Sequence, residues 1–137
     1  VEKSKLNPKT IETLEQLRKD NINLAILTRN TKQNAEAVLK KHGLCFDYVV
    51  GREDGPVKPD AFGVLHICNY FGVENNQAIM VGDYLFDLQC AKTAGALAVL
   101  LANTQKAKEF TEYADYVIQS LDEIPDIIKN HNQGTTL

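Results

Sequence analysis

Thr28, Lys58, Asp83 and Asp87 are the side chains whose types and spacing could do chemistry together. Thr28 closes the apolar run Asn23-Leu-Ala-Ile-Leu-Thr28. Asp83 follows Ala78-Ile-Met-Val81 and Gly82, and Asp87 comes one helical turn later. Lys58 stands in Val57-Lys58-Pro59-Asp60, a loop too short and stiff to be merely a solvated charge run. Apolar runs of this length read as strands buried on both faces, and ligands of open parallel sheets bind beyond the carboxyl ends of their strands. A hydroxyl, an ammonium and two carboxylates at one such edge suit a phosphate group handled with a divalent cation. The ammonium neutralises phosphate oxygens and a nearby carboxylate. A few hard carboxylate oxygens suit Mg²⁺, which keeps several waters and bridges to phosphate. Thr28-Arg29-Asn30 also leads into a helix whose first-turn N–H groups are a natural place for an anion.

Taken singly, each residue has an ordinary structural role. Thr28 would serve as a strand end or N-cap, Lys58 as a solvated charge, and Asp83 and Asp87 as carboxylates favoured at a helix N-terminus. The order Thr, Lys, Asp, Asp at successive strand ends is what favours function.

The elements that must position these residues alternate. Asn7-Pro8 opens a helix carrying Ile11, Leu14 and Leu17, and the run to Thr28 is a strand. A helix follows over Thr31 to His42, stopped by Gly43, then a strand over Phe46 to Val50. Asp60 caps a helix whose inward stripe is Ala61, Val64, Leu65 and Cys68, closed by Gly72. Ala78 to Val81 is a strand, Phe86 to Ala94 a helix ended by Gly95, Leu97 to Leu101 a strand, Thr104 to Glu112 a helix, and Tyr116 to Ile118 a short strand. The last helix opens on a capping box, Ser120-Leu-Asp-Glu123, and buries Leu121, Ile124, Ile127 and Ile128. Strand and helix alternation argues a parallel sheet with helices on both faces, joined by right-handed crossovers. The expectation is one α/β domain over residues 1–131, with a flexible tail at 132–137.

At 137 residues the chain is long enough for one hydrophobic core, and its 44% hydrophobic and 24% charged composition is ordinary for a globular protein. A formal net charge of -3 gives no reason to expect nucleic acid or an anionic membrane as partner. No apolar run approaches the ~20 residues that span a bilayer. Cys45, Cys68 and Cys90 are widely spaced without a C-x-x-C pair, which fits buried free thiols in a reducing compartment and places the protein in the cytoplasm. The three histidines show no metal-ligand spacing and read as partly exposed helix residues.

These segments resemble the haloacid dehalogenase-like hydrolase superfamily of Mg²⁺-dependent phosphatases. Leu24-Ala-Ile-Leu-Thr-Arg-Asn30 is similar to its second motif, Val57-Lys-Pro-Asp60 to its third, and Val81-Gly-Asp-Tyr-Leu-Phe-Asp87 with Ala91 to Gly95 to its fourth. Gly51-Arg-Glu53 and Leu65-His-Ile-Cys68 resemble a phosphoglycolate-phosphatase-like branch. The likeness runs from about Pro8 to Ile128. It implies a three-layer α/β/α Rossmann-like core with a mainly parallel sheet. By the resemblance, Thr28 hydrogen-bonds the transferring phosphoryl group, and Arg29 and Asn30 lie close to it. Lys58 stabilises its charge and that of a nucleophilic aspartate. Asp83 ligates Mg²⁺ and Asp87 orients that shell. The implied substrate is a small phosphorylated metabolite. Arg29 departs from the commoner Asn or Gly of the family, and Tyr84 replaces its usual Ser or Thr.

The family's first motif, Asp-x-Asp-x-Thr after an initial strand, has no counterpart here. That motif supplies the nucleophile and precedes a cap insert, and Leu6-Asn7-Pro8 resembles the exit from such a cap. The chain is therefore expected to be the C-terminal part of a longer protein or one piece of a cleaved one. In the family fold the missing strand lies between the strand ending at Thr28 and the one leading to Asp83. A second chain or a segment outside these residues is expected to supply it, since unpaired central strands leave backbone groups and core surface exposed. The leading expectation is a phosphomonoester hydrolase working through an aspartyl-phosphate, the chain alone being inactive. The alternative is a catalytically inactive fragment or pseudoenzyme with a binding role. A phosphosugar mutase shares the motifs, a dehalogenase fits the paired carboxylates less well, and a receiver domain has the reverse order of acidic residues, Thr and Lys.

Overall fold

The computed structural model describes residues 8–135. The expected N-cap Asn7 lies outside the described residues. The order is α1 (Pro8–Lys19), β1 (Ala25–Leu27), α2 (Lys32–Lys41), β2 (Tyr48–Val50), α3 (Phe62–Phe71), β3 (Ile79–Gly82), α4 (Leu85–Ala94), β4 (Leu97–Leu101), α5 (Gln105–Lys108), β5 (Tyr116–Ile118) and α6 (Ile124–Thr135). Every strand pair is parallel, as the alternating order demands. Gly72 and Gly95 end α3 and α4 at φ of 70° and 83°, the left-handed conformation that glycine adopts without a Cβ penalty.

β4 shows how the layers are built. Ala98, Val99 and Leu100 are all 0% exposed, and alternation along the strand sends them to opposite faces. Ala98 and Leu100 join Val64, Cys68, Leu88 and Ala91 of α3 and α4, whereas Val99 joins Leu17 of α1 and Ile124 and Ile127 of α6. This is an α/β/α sandwich. Among the described residues no helix is long and apolar enough to cross a membrane.

Both outer strands are fastened by one device. The aspartate before β2, Asp47, accepts the N–H of Leu24 at 2.8 Å and donates its own N–H to the Leu24 carbonyl. Asp115, before β5, does the same with Ala98 of β4. Arg18 pairs with Asp47 at 3.1 Å and Lys92 with Asp115 at 2.5 Å.

The sheet is interrupted. β1 pairs only with β2, and β3, β4 and β5 form a separate three-stranded sheet, so among the described residues β1 and β3 are not joined. The interruption falls between the two strands for which the family resemblance implies a further strand. Ile26, Leu27, Ile79, Met80 and Val81, apolar as they are, stay only half-buried.

Several boundaries differ from expectation. Leu65 is 42% exposed, and the buried face of α3 turns instead toward Gly63, where a Cβ would meet the Leu27 side chain at 2.4 Å. α5 is one turn, followed by a 3-10 turn at Thr111–Tyr113. The last helix is preceded by a 3-10 turn at Leu121–Glu123, where the Glu123 carboxylate takes the N–H of Ser120 as the capping box requires. α6 continues to Thr135, past the expected start of a tail. Cys68 and Cys90 are buried, and burial pushes both thiols up; Cys45 is exposed at the surface beside Arg18, contrary to expectation.

Candidate phosphate and metal site

Thr28 leaves β1 with its backbone still in register, its N–H donating to the Val50 carbonyl at 3.0 Å. The Thr28 hydroxyl oxygen accepts the Asn30 N–H at 3.0 Å, which leaves the hydroxyl proton to donate elsewhere. The Asn30 side chain is fixed through its Oδ1, which accepts the Thr31 N–H and the Asn34 amide, both at 2.9 Å, leaving its amide N–H groups to donate. Arg29 is exposed and lays its guanidinium over the Phe86 ring, 5.1 Å from the centroid.

The N-terminus of α2 is not the open anion site that the sequence led us to expect. Thr31 caps it by accepting the Asn34 N–H at 3.1 Å, and the Glu53 carboxylate takes the Lys32 N–H at 3.0 Å. Gly51 makes that approach possible, because a Cβ there would lie 2.5 Å from both Glu53 Oε1 and the Lys32 nitrogen. Glu53 is the middle residue of a single 3-10 turn at Arg52–Asp54, and that turn brings it onto α2.

Lys58 joins the two sheets. Its Nζ donates to Asp87 Oδ1 at 2.6 Å and to the Leu27 carbonyl, next to Thr28, at 3.3 Å. The two side chains are 14% and 10% exposed, so the ion pair is nearly dry. An ammonium has three donors, and one is left over. The Lys58–Pro59 peptide bond is cis. Asp60 does not cap α3 as expected, since the N-cap position is Ala61; Asp60 Oδ1 accepts the Phe62 N–H at 2.8 Å from one residue further back.

Gly82 and Asp87 are fitted to each other. Asp87 Oδ2 accepts the Tyr84 N–H at 3.3 Å, closing the first turn of α4, and a Cβ on Gly82 would lie 2.2 Å from that oxygen. Asp87 is therefore a buried carboxylate with both oxygens engaged inside the chain. Asp83 is the reverse: exposed, and without a hydrogen-bond or ion-pair partner among the described residues. The two carboxylates, similar in sequence, are thus divided into one held and one offered.

This donor set fits Mg²⁺. Among the described residues no three acidic, histidine or cysteine side chains gather into a protein cage, and Mg²⁺ is usually bound through one or two carboxylates with the remaining positions left to water and phosphate. Asp83 would supply the free hard oxygen, while Asp87, four residues on in the first turn of α4, is held by Lys58 and the Tyr84 N–H.

The matches to known proteins follow the same outline. Residues 1–101 match the family model described as haloacid dehalogenase-like hydrolase. An uncharacterized hydrolase of Saccharomyces cerevisiae is 32% identical over 133 residues, covering 92% of this chain and 61% of its own length. A phosphoglycolate phosphatase of Chromobacterium violaceum is 31% identical over 110 residues, covering 78% of this chain and 49% of its own. The crystal structure of a predicted phosphoglycolate phosphatase from Haemophilus somnus superposes with a TM-score of 0.76 at 26% identity, covering 90% of this chain and 57% of its own. The chain thus spans about half to three-fifths of the length of these relatives. It belongs to the haloacid dehalogenase-like hydrolases, in their phosphoglycolate-phosphatase-like branch.

Proposed function

We propose that the chain is the core of a Mg²⁺-dependent phosphatase acting on a small phosphomonoester. In it Thr28, Arg29, Asn30 and Lys58 surround the phosphoryl group, and Asp83, backed by Asp87, holds the ion. One observation carries this reading. The Lys58 ammonium is held between the Leu27 carbonyl and Asp87, so the strand ends bearing Thr28 and Asp83 flank one cation. Phosphoryl transfer is chiefly positioning and stabilisation of charge on the phosphoryl oxygens. Lys58 offers its remaining N–H to those oxygens, and Thr28 offers the hydroxyl proton left free by Asn30. When bound, Mg²⁺ neutralises phosphoryl charge as a Lewis acid.

The nucleophile belongs to this proposal and not to these 137 residues. An aspartate carboxylate on a segment outside them would take the phosphoryl group from the ester oxygen and pass it to water, the aspartyl-phosphate splitting one hard step into two. The same segment, or a second chain, would lie between β1 and β3, whose half-buried apolar residues support an added strand there. A cytoplasmic setting is proposed with it, supported by three free thiols. So is a small phosphorylated metabolite as partner, rather than nucleic acid or membrane, supported by the net charge of -3.

The test is hydrolysis of small phosphomonoesters, with and without Mg²⁺, by a form of the protein that carries the aspartate segment. Turnover should require Mg²⁺, and Asp83→Asn should lower it by about a hundredfold or more. Unchanged turnover in Asp83→Asn would remove the metal assignment. Turnover by the 137-residue chain alone would remove the external nucleophile.

A further inference from the structure

An exposed tyrosine stands next to Asp83, packed against two half-buried rings, where nothing in the phosphate chemistry calls for it. Tyr84 directly follows Asp83 and is 44% exposed. It meets Phe86 edge-on at 5.1 Å and Phe110 edge-on at 5.3 Å. Arg29, which follows Thr28 on the opposite side of the gap, lies over Phe86, and Lys106 lies over Phe110 at 5.7 Å. The contacts hold Tyr84 by its neighbours while leaving much of its ring to solvent. Phe86 and Phe110 are half-buried, Phe110 against the core, so Tyr84 is the ring offered to solvent, with large apolar area to cover. Arg29 adds a second flat surface, since a guanidinium stacks on planar π systems as a lysine does not.

We infer that this rim selects the leaving group, and that the preferred phosphomonoesters carry a planar aromatic or heteroaromatic group next to the ester oxygen. The inference rests on the phosphate-site reading above. With the phosphoryl group between Thr28 and Lys58, the ester substituent leaves the site along the surface that Arg29, Phe86 and Tyr84 form together. The Tyr84 N–H is bonded to the same Asp87 that holds Lys58, so its ring is tied to the phosphate position by one short chain of contacts. A purely aliphatic ester would find the charge contacts but leave the rings uncovered.

Calorimetric titration of the protein with inorganic phosphate, propyl phosphate and phenyl phosphate, all with Mg²⁺, separates the two readings. Saturable binding of inorganic phosphate tests the site itself, and its absence removes both. Given that binding, phenyl phosphate should bind about tenfold more tightly than propyl phosphate, the scale of base–aromatic stacking by alanine substitution. In Tyr84→Leu and, as a second variant, Arg29→Gln, that ratio should fall to near one while circular dichroism shows a folded chain. A wild-type ratio near one overturns the rim and leaves the phosphate site standing. So does a ratio that survives both substitutions.

Discussion

Removing Lys58 is the sharpest test of how the two sheets are held in register. At 2.6 Å, the direct attraction between Lys58 and Asp87 is about 6 kcal/mol with an effective dielectric of ~20. Taking two charges out of water returns most of that, since desolvation is on the order of several kcal/mol per ion. The pair therefore contributes little net stability, but losing one member does not. In Lys58→Met the Asp87 carboxylate would stay buried, its Oδ2 still on the Tyr84 N–H and its Oδ1 without a partner. Stranding a buried charge in this way costs about 3 kcal/mol. Asp87→Asn in the same background removes the charge and should recover about half of that loss, so the two substitutions are strongly non-additive. Urea unfolding at neutral pH, followed by far-UV circular dichroism across the four members of the cycle, measures this directly. A Lys58→Met protein within about 0.5 kcal/mol of wild type, or additive losses in the double variant, would refute a buried and mutually dependent pair.

Two further outcomes follow from the geometry. Gly82→Ala places a Cβ 2.2 Å from Asp87 Oδ2, so the carboxylate must leave the α4 cap. The expected loss is about 2 kcal/mol by overpacking and cap removal, measured by the same unfolding experiment, and a change below a few tenths would show that Asp87 moves freely. The acid limb of stability should be set by the strand-fastening carboxylates. Asp47 is held below the usual carboxylate range by the Leu24 N–H, against the opposing effect of burial, and by Arg18. At Asp115 burial pushes the other way but is outweighed by the Ala98 N–H and Lys92. Folded values below unfolded ones mean stability that is present above about pH 4 and is lost as pH falls through the folded values. Asp47→Asn with Asp115→Asn should lower stability at neutral pH and flatten its decline below pH 4; an unchanged slope would show that these carboxylates do not govern it.

How much of this could be read from the residues depended on how local each cause was. β4 and β5 occupy the expected residues because Leu97–Leu101 and Tyr116–Ile118 are bounded by Gly95-Ala96 and by polar neighbours. The αL glycines after α3 and α4 were equally plain. The direction of α3 was not. Phe62–Phe71 is apolar nearly all round, so the face given to Leu65 could have been any, and packing of Leu27 onto Gly63 decided it. At the site, Thr28, Lys58 and Asp87 were visible as motifs. The division of labour between Asp83 and Asp87 was not, since both read as carboxylates one turn apart until Lys58, some thirty residues away, claims one. Glu53 on the end of α2 was missed for the same reason: its partner is the Lys32 N–H, 21 residues earlier in the chain. The paired Asp-Tyr-Val openings of β2 and β5, Asp47-Tyr48-Val49 and Asp115-Tyr116-Val117, were a signal available in the sequence and left unused.

The account stands on one small dianion being shared by Thr28, Lys58 and a metal on Asp83. A crystal structure of the protein with Mg²⁺ and orthovanadate, a phosphoryl mimic, tests it most directly. The predicted result is one vanadate accepting from the Thr28 hydroxyl and the Lys58 ammonium, with Mg²⁺ between it and Asp83. Vanadate bound at another face, or Mg²⁺ bound without Asp83, would contradict it.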